Sequence, residues 1–276
     1  MDGLELGEIA ALVVALAGTG AVAGVLAGLL GVGGGIVVVP VLFWVLGFLG
    51  LPAGLAMQVT VATSLVTVAL TAVASARAHH RRGAVDLALV RRWAPWMAAG
   101  ALLGGTVAGL VPGRVLLGVF GVIALLVAWN MAQPRQRILA PQLPARTGAQ
   151  PAMAGAMGTV SAMMGIGAGT LGVPLLTAFS MPVHRAVGTA AALGFVIGLP
   201  AALAMIVTGL GVPGRPPLSL GYASPVAVAL ILPLSLLCAP LGARLAHALD
   251  PIWIRRAFAV FLCLTAVRML VAATLG

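Results

Sequence analysis

The sequence predicts an all-α membrane protein, with about ten apolar segments forming two inverted-topology repeats and broken or re-entrant helices at two Gly-rich motifs. Three observations lead there. Of 276 residues, 62% are hydrophobic and 7% charged, whereas a soluble domain covers its surface with roughly 25% charged residues. Residues 9–76 run for 68 positions without Asp, Glu, Lys, Arg or His, room for three spans of about 20 residues each. One glycine-proline pattern also occurs twice, at the same place in each half.

Apolar segments fall near 9–30, 34–50, 57–76, 93–111, 114–132, 152–165, 168–181, 186–209, 221–245 and 252–274. Runs such as LLGVFGVIALLVAW lack the apolar-polar alternation of a transmembrane β-strand, so helices are expected. The opening residues, MDGLELGEIA, are acidic, whereas a secretory signal starts basic, so the first segment is expected to be retained. The segments 152–165 and 168–181 are short for straight crossings. They either cross tilted or form a hairpin that returns to its starting side.

The stretch 133–151, QPRQRILAPQLPARTGAQP, is polar and rich in Pro and Arg. It reads as a cytoplasmic linker between an N-terminal repeat over 1–132 and a C-terminal repeat over 152–276. Net charge is +10, and every basic residue is Arg. Those arginines sit between apolar spans, which points to membrane orientation and away from nucleic acid. With the loop around Arg77, Arg81, Arg82, Arg91 and Arg92 inside, alternation also puts Arg135, Arg137, Arg146, Arg185, Arg244, Arg255 and Arg256 inside. Arg114 and Arg215 fall outside, Arg268 lies within the last span, and both termini face out.

The repeat pairs GVGGGIVVVP at 31–40 with GIGAGTLGVP at 165–174, an ungapped match at an offset of 134. Val61-Ala-Thr63 pairs with Val187-Gly-Thr189, and Gly104 and Phe120 pair with Gly242 and Phe258 at an offset of 138. With the first half starting outside and the second inside, the halves are inverted, an arrangement typical of secondary transporters with midplane sites.

Glycines at alternate positions let the chain leave helical geometry, and the helix that follows starts with unpaired N–H groups and a partial positive charge. Two such starts meeting at a pseudo-symmetry axis would hold an oxyanion without a buried Arg. The candidate binding residues are Gly31, Gly33, Gly34 and Gly35, Gly165, Gly167, Gly169 and Thr170, with Thr63, Ser64 and Thr189 on the segments that follow. Pro40 and Pro174 are structural. Each competes with a blander role: glycines permit close helix packing, and hydroxyls bond back to their own helix. Thr60 is a weaker candidate of the same kind, and Arg268 is expected to reach the outer surface.

No span carries Asp or Glu, so no intramembrane carboxylate relay is available for proton coupling. An anion leaving a cell would follow an inside-negative potential without a coupling ion. His79 and His80 sit among arginines in a loop, and Cys238 and Cys263 lack paired spacing, so neither metal nor redox chemistry is expected. No cofactor is implied. No nucleophile-base pair or nucleotide motif marks an enzyme.

GLLGVGGGIVVVPVL, its copy MMGIGAGTLGVPLL, and the TSL and VGT segments resemble the TauE/SafE family of sulfite-exporter-like proteins over nearly the whole chain. That resemblance implies a multi-pass transporter in the bacterial inner membrane, with a small anion as substrate. Sulfite or an organosulfonate such as sulfoacetate is the class implied. Ala168 replaces the glycine found at Gly34, so the two breaks are not equivalent. A non-transporting membrane assembly or partner-binding subunit is the alternative. Beyond substrate and lipid bilayer, a homo-oligomer stays open.

Overall fold

A computed structural model describes residues 6–30, 34–133, 138–144, 148–248 and 251–275. Ten helices account for most of them: α1 (Leu6–Leu30), α2 (Gly35–Phe48), α3 (Ala53–Arg81), α4 (Leu87–Leu110), α5 (Gly113–Ala132), α6 (Ala149–Met164), α7 (Ala168–Ala178), α8 (Val183–Thr208), α9 (Pro225–Ala248) and α10 (Pro251–Leu275). Five helical stretches, in α3, α5, α8, α9 and α10, are long and apolar enough to cross a membrane. Many large apolar side chains face outward, among them Phe48, Leu110, Trp129 and Leu237. A surface of that kind suits lipid, and water would penalise it.

Each predicted segment becomes a helix, but the ends move. α3 starts at Ala53 and runs on to Arg81, and α4 already contains Arg91 and Arg92. The expected Arg loop is therefore mostly helical, with only 82–86 between the helices. At 1.5 Å per residue α3 is about 43 Å long, more than a bilayer core, so its charged last turn stands clear of the hydrocarbon. α6 begins at Ala149, earlier than the expected 152.

Packing runs mainly between the halves: α1 lies on α9, α4 on α6, α5 on α10, and α3 on α8. Small residues allow these approaches. A Cβ on Gly24 of α1 would meet the Ser235 backbone of α9, with the Cα at 2.8 Å. A Cβ on Gly158 of α6 would collide with the Met97 carbonyl of α4. Gly24 and Gly158 are 134 apart, and Met97 and Ser235 are 138 apart, the offsets of the sequence repeat.

The linker is tied to one end of the bundle. Gln150, in the first turn of α6, accepts from the Trp93 indole at 3.2 Å and donates to the Pro144 carbonyl at 3.0 Å. At the far end of α7, the Ala178 carbonyl accepts from Leu139 N–H at 2.8 Å. The start of α6 and the end of α7 thus lie against the same short stretch of chain. From their lengths, α6 rises about 24 Å and α7 about 16 Å, both short of a 30 Å core.

Candidate functional site

The turn between α6 and α7 has a definite cause. Gly165 adopts φ +72, and Ile166 N–H donates to Ser161 O at 3.0 Å while Gly165 N–H donates to Ala162 O at 3.1 Å. This is the Schellman closure, which needs a residue that tolerates left-handed backbone. Gly167, in extended conformation, then caps α7, whose first turn is Ala168, Gly169 and Thr170. All three are buried.

The start of α2 packs against that turn. A Cβ on Gly35 would stand 3.0 Å from Gly165 O, 3.1 Å from Ile166 Cα and 2.9 Å from Val68 Cγ2. A Cβ on Gly167 would stand 2.9 Å from the other methyl of Val68. Val68 of α3 therefore sits between the two helix starts, and neither glycine has room for a side chain. Gly34 is the N-cap of α2 and is only partly buried. Gly31 and Gly33 lie outside the described residues. Pro40 and Pro174 fall one turn into α2 and α7, each removing an intrahelical N–H donor from a short helix.

Three hydroxyls expected at the site have partners. Ser64 donates to Gly165 O at 2.7 Å, bracing the turn and occupying its carbonyl. Thr63 Oγ1 accepts from Ser224 N–H at 3.0 Å, and Thr189 Oγ1 accepts from Asp86 N–H at 3.0 Å. Ser224 and Asp86 are the residues just before α9 and α4, and each also caps its own helix. Asp86 Oδ1 accepts from Leu89 N–H at 3.0 Å and Ser224 Oγ from Ala227 N–H at 3.3 Å. The pairs correspond across the repeat, since 86 and 224 differ by 138.

Three other hydroxyls, Thr60, Ser161 and Thr170, are buried without a hydrogen-bond partner among the described residues. A buried unpaired hydroxyl is unfavourable by about 1–3 kcal/mol, so such groups call for an explanation. All three flank the α6–α7 turn. Ser161 lies four residues before Gly165, and Thr170 lies in the first turn of α7. Thr60 adjoins Val61, whose Cα would be 3.0 Å from a Cβ on Gly165. Ser161 went unnoticed in the sequence because it sits in a run of Ala, Gly and Met with no counterpart in the first half. Its only signal was being polar inside an apolar segment.

No charged side chain is buried among the described residues. Arg268 is exposed, with its guanidinium 5.9 Å from the Trp44 ring centroid. Arg185 pairs with Asp86 at 3.1 Å at the exposed Arg-rich end. At the opposite end, Gln58 Nε2 donates to Val111 O at 3.1 Å and Tyr222 Oη to Gly109 O at 3.3 Å. Burial pushes the Tyr222 hydroxyl above its ordinary pKa, so it stays a donor. No group of His, Cys, Asp or Glu suited to a metal occurs among the described residues.

Long apolar helices with lipid-compatible faces, packed around helix starts that are buried and uncharged, define a multi-pass α-helical membrane protein. The family described as Sulfite exporter TauE/SafE matches residues 16–269, and the chain belongs to that family. It is 32% identical over 253 residues to a "Probable membrane transporter protein" of Haemophilus influenzae, covering 91% of this chain and 95% of that one. A protein of the same description from Xylella fastidiosa strain 9a5c is 32% identical over 182 residues, covering 62% and 66% of the two chains. No solved structure matches the chain significantly.

Proposed function

We propose that this protein is a secondary transporter of small anions, held at the midplane by the paired starts of α2 and α7. Sulfur-containing anions are the substrate class, sulfite or an organosulfonate such as sulfoacetate, and export is the direction. Family membership and the transporter relatives support transport. The observation that carries the site is the meeting of Gly35 with the Gly165–Ile166 turn beside unpartnered Thr170. Helix starts offer N–H groups and partial positive charge to an anion, and a free hydroxyl adds a neutral donor.

The cross-half pairings of α1 with α9 and α4 with α6 support two inverted repeats, because exchanging the halves exchanges the two pairings. The matched bonds Thr63–Ser224 and Thr189–Asp86 support the same reading. The lengths of α6 and α7, about 24 and 16 Å against a core of about 30 Å, favour a re-entrant hairpin over two crossings. In this reading the Arg-rich end is cytoplasmic, both termini face out, and the membrane is a bacterial inner membrane. Thr63, Ser64 and Thr189 brace the site, while Thr170 and the backbone of Gly34, Gly35, Gly167 and Gly169 face the anion.

The test is flux from proteoliposomes containing the full chain, loaded in turn with sulfite, sulfoacetate or taurine, with and without an imposed potential. Anion efflux that rises with the potential is expected. Absence of movement for every sulfur anion would overturn the reading.

A further inference from the structure

We infer that the Arg-rich end of α4 holds an anionic phospholipid, with its phosphate on Arg91 and Arg92 and its acyl chains along the outward stripe beneath them. α4 packs on α6 and α8. On its free face Arg92, Trp96, Ala99 and Leu103 are exposed at helical spacing. At 1.5 Å per residue, Trp96 lies about 6 Å along the axis from Arg92, and Leu103 about 17 Å. Guanidinium, then indole, then leucine is the order met on descending from phosphate through the interface into hydrocarbon.

Positive charge at this hairpin is uncompensated. Arg77, Arg81, Arg82, Arg91 and Arg92 are all exposed. Asp86, the acidic residue within 77–92, is engaged by Arg185 at 3.1 Å, and Asp250 lies outside the described residues. The negative end of α3 and the positive start of α4 meet across 82–86 and largely offset each other, so the side chains set the balance. Arg92 donates to Gln150 Oε1 at 3.5 Å, a long contact that leaves most of its fork open. Such forks grip phosphate oxygens in pairs. Trp96 and Leu103 beneath them fit a phosphate that carries acyl chains, which a soluble anion lacks. Each arginine close to anionic lipid is worth about fivefold in affinity.

The full chain in phosphatidylcholine bilayers tests this, with brominated phosphatidylglycerol or brominated phosphatidylcholine added to quench tryptophan fluorescence. Trp96→Phe isolates the Trp96 signal by difference. Brominated phosphatidylglycerol should quench Trp96 at about fivefold lower mole fraction or less than brominated phosphatidylcholine. Arg91→Gln combined with Arg92→Gln should erase most of that preference, and Arg92→Lys should erase less. These side chains are exposed, so the variants keep the fold, as monodisperse elution checks. Equal quenching by both lipids, or a preference that survives the double variant unchanged, overturns the site. So does a Trp96 quenched by neither lipid, which would put a second copy of the chain over the stripe. Loss of the preference to millimolar inorganic phosphate would make the ligand a free anion and overturn it too.

Discussion

Thr63→Val and Thr189→Val are isosteric changes at corresponding positions, yet the structure makes them unequal. Each deletes the hydroxyl that accepts a backbone N–H from the helix start of the other half. Ser224 is 6% exposed, so its N–H has no water to turn to when Thr63 becomes Val. Leaving such a donor unsatisfied costs about 1–3 kcal/mol. Asp86 lies at the Arg-rich end with its side chain 24% exposed, so water can replace Thr189 there. A lost bond that water replaces is worth about 0.5–1 kcal/mol. Unfolding in mixed micelles, titrated with SDS and followed by tryptophan fluorescence, reads both. Trp93 is fully buried and reports loss of the core. Thr63→Val should lower stability by about twice as much as Thr189→Val, and Thr63→Ser should recover most of the loss. If Thr189→Val proves the more damaging, or both are neutral, the clamp between halves is refuted.

Gly35→Ala should destabilise by about 1–3 kcal/mol, because two of its three close neighbours are backbone and have little freedom to move. Adding Val68→Ala removes the third contact and should recover only part of that loss, read by the same titration. Gly158→Leu, driven into the Met97 carbonyl, should prevent α4 and α6 from docking and give aggregated protein on size exclusion. Asp86→Asn keeps a helix cap and loses an exposed ion pair, so stability should change by less than about 1 kcal/mol. A larger drop would mean that the Arg185–Asp86 pair holds the Arg-rich end closed.

The number and order of helices were legible because charge-free runs and glycine breaks leave a strong signal in lipid-facing chains. The turn at 165–167 between α6 and α7 falls within the second copy of the motif, while Gly31 and Gly33 of the first copy lie outside the described residues. Helix ends were less legible: α3 carries four charged or titratable residues past its apolar stretch, Arg77, His79, His80 and Arg81. Hydropathy stops at the membrane edge, but backbone hydrogen bonding does not. Pairing between halves was also hidden, since the Gly20 and Gly24 face of α1 looks like any small-residue face until α9 lies on it. Thr63 and Thr189 were found as a repeated pair, but sequence could not tell a hydroxyl facing a solute from one capping a distant helix. That choice depends on Ser224 and Asp86, which lie 161 and 103 residues away.

The two breaks share a motif and differ in chemistry, and the difference bears on where selectivity resides. At the position of Ile36 in α2 the second half has Thr170, and at Gly34 it has Ala168. All three unpartnered hydroxyls among the described residues flank the α6–α7 turn. Thr60 comes from the first half, yet it lies on the stretch of α3 that packs on Gly165. The α2 start contributes backbone and an apolar wall of Ile36, Val37, Val38 and Val39, all buried. On the reading proposed here, both halves supply a helix start, while the α6–α7 side supplies the hydroxyl donors that distinguish one oxyanion from another. Ile36→Thr, which copies the second-half residue into the first, should then broaden substrate choice without abolishing flux. An unchanged substrate profile in that variant, with the protein still folded, would mean that the first-half start does not meet the solute at this position.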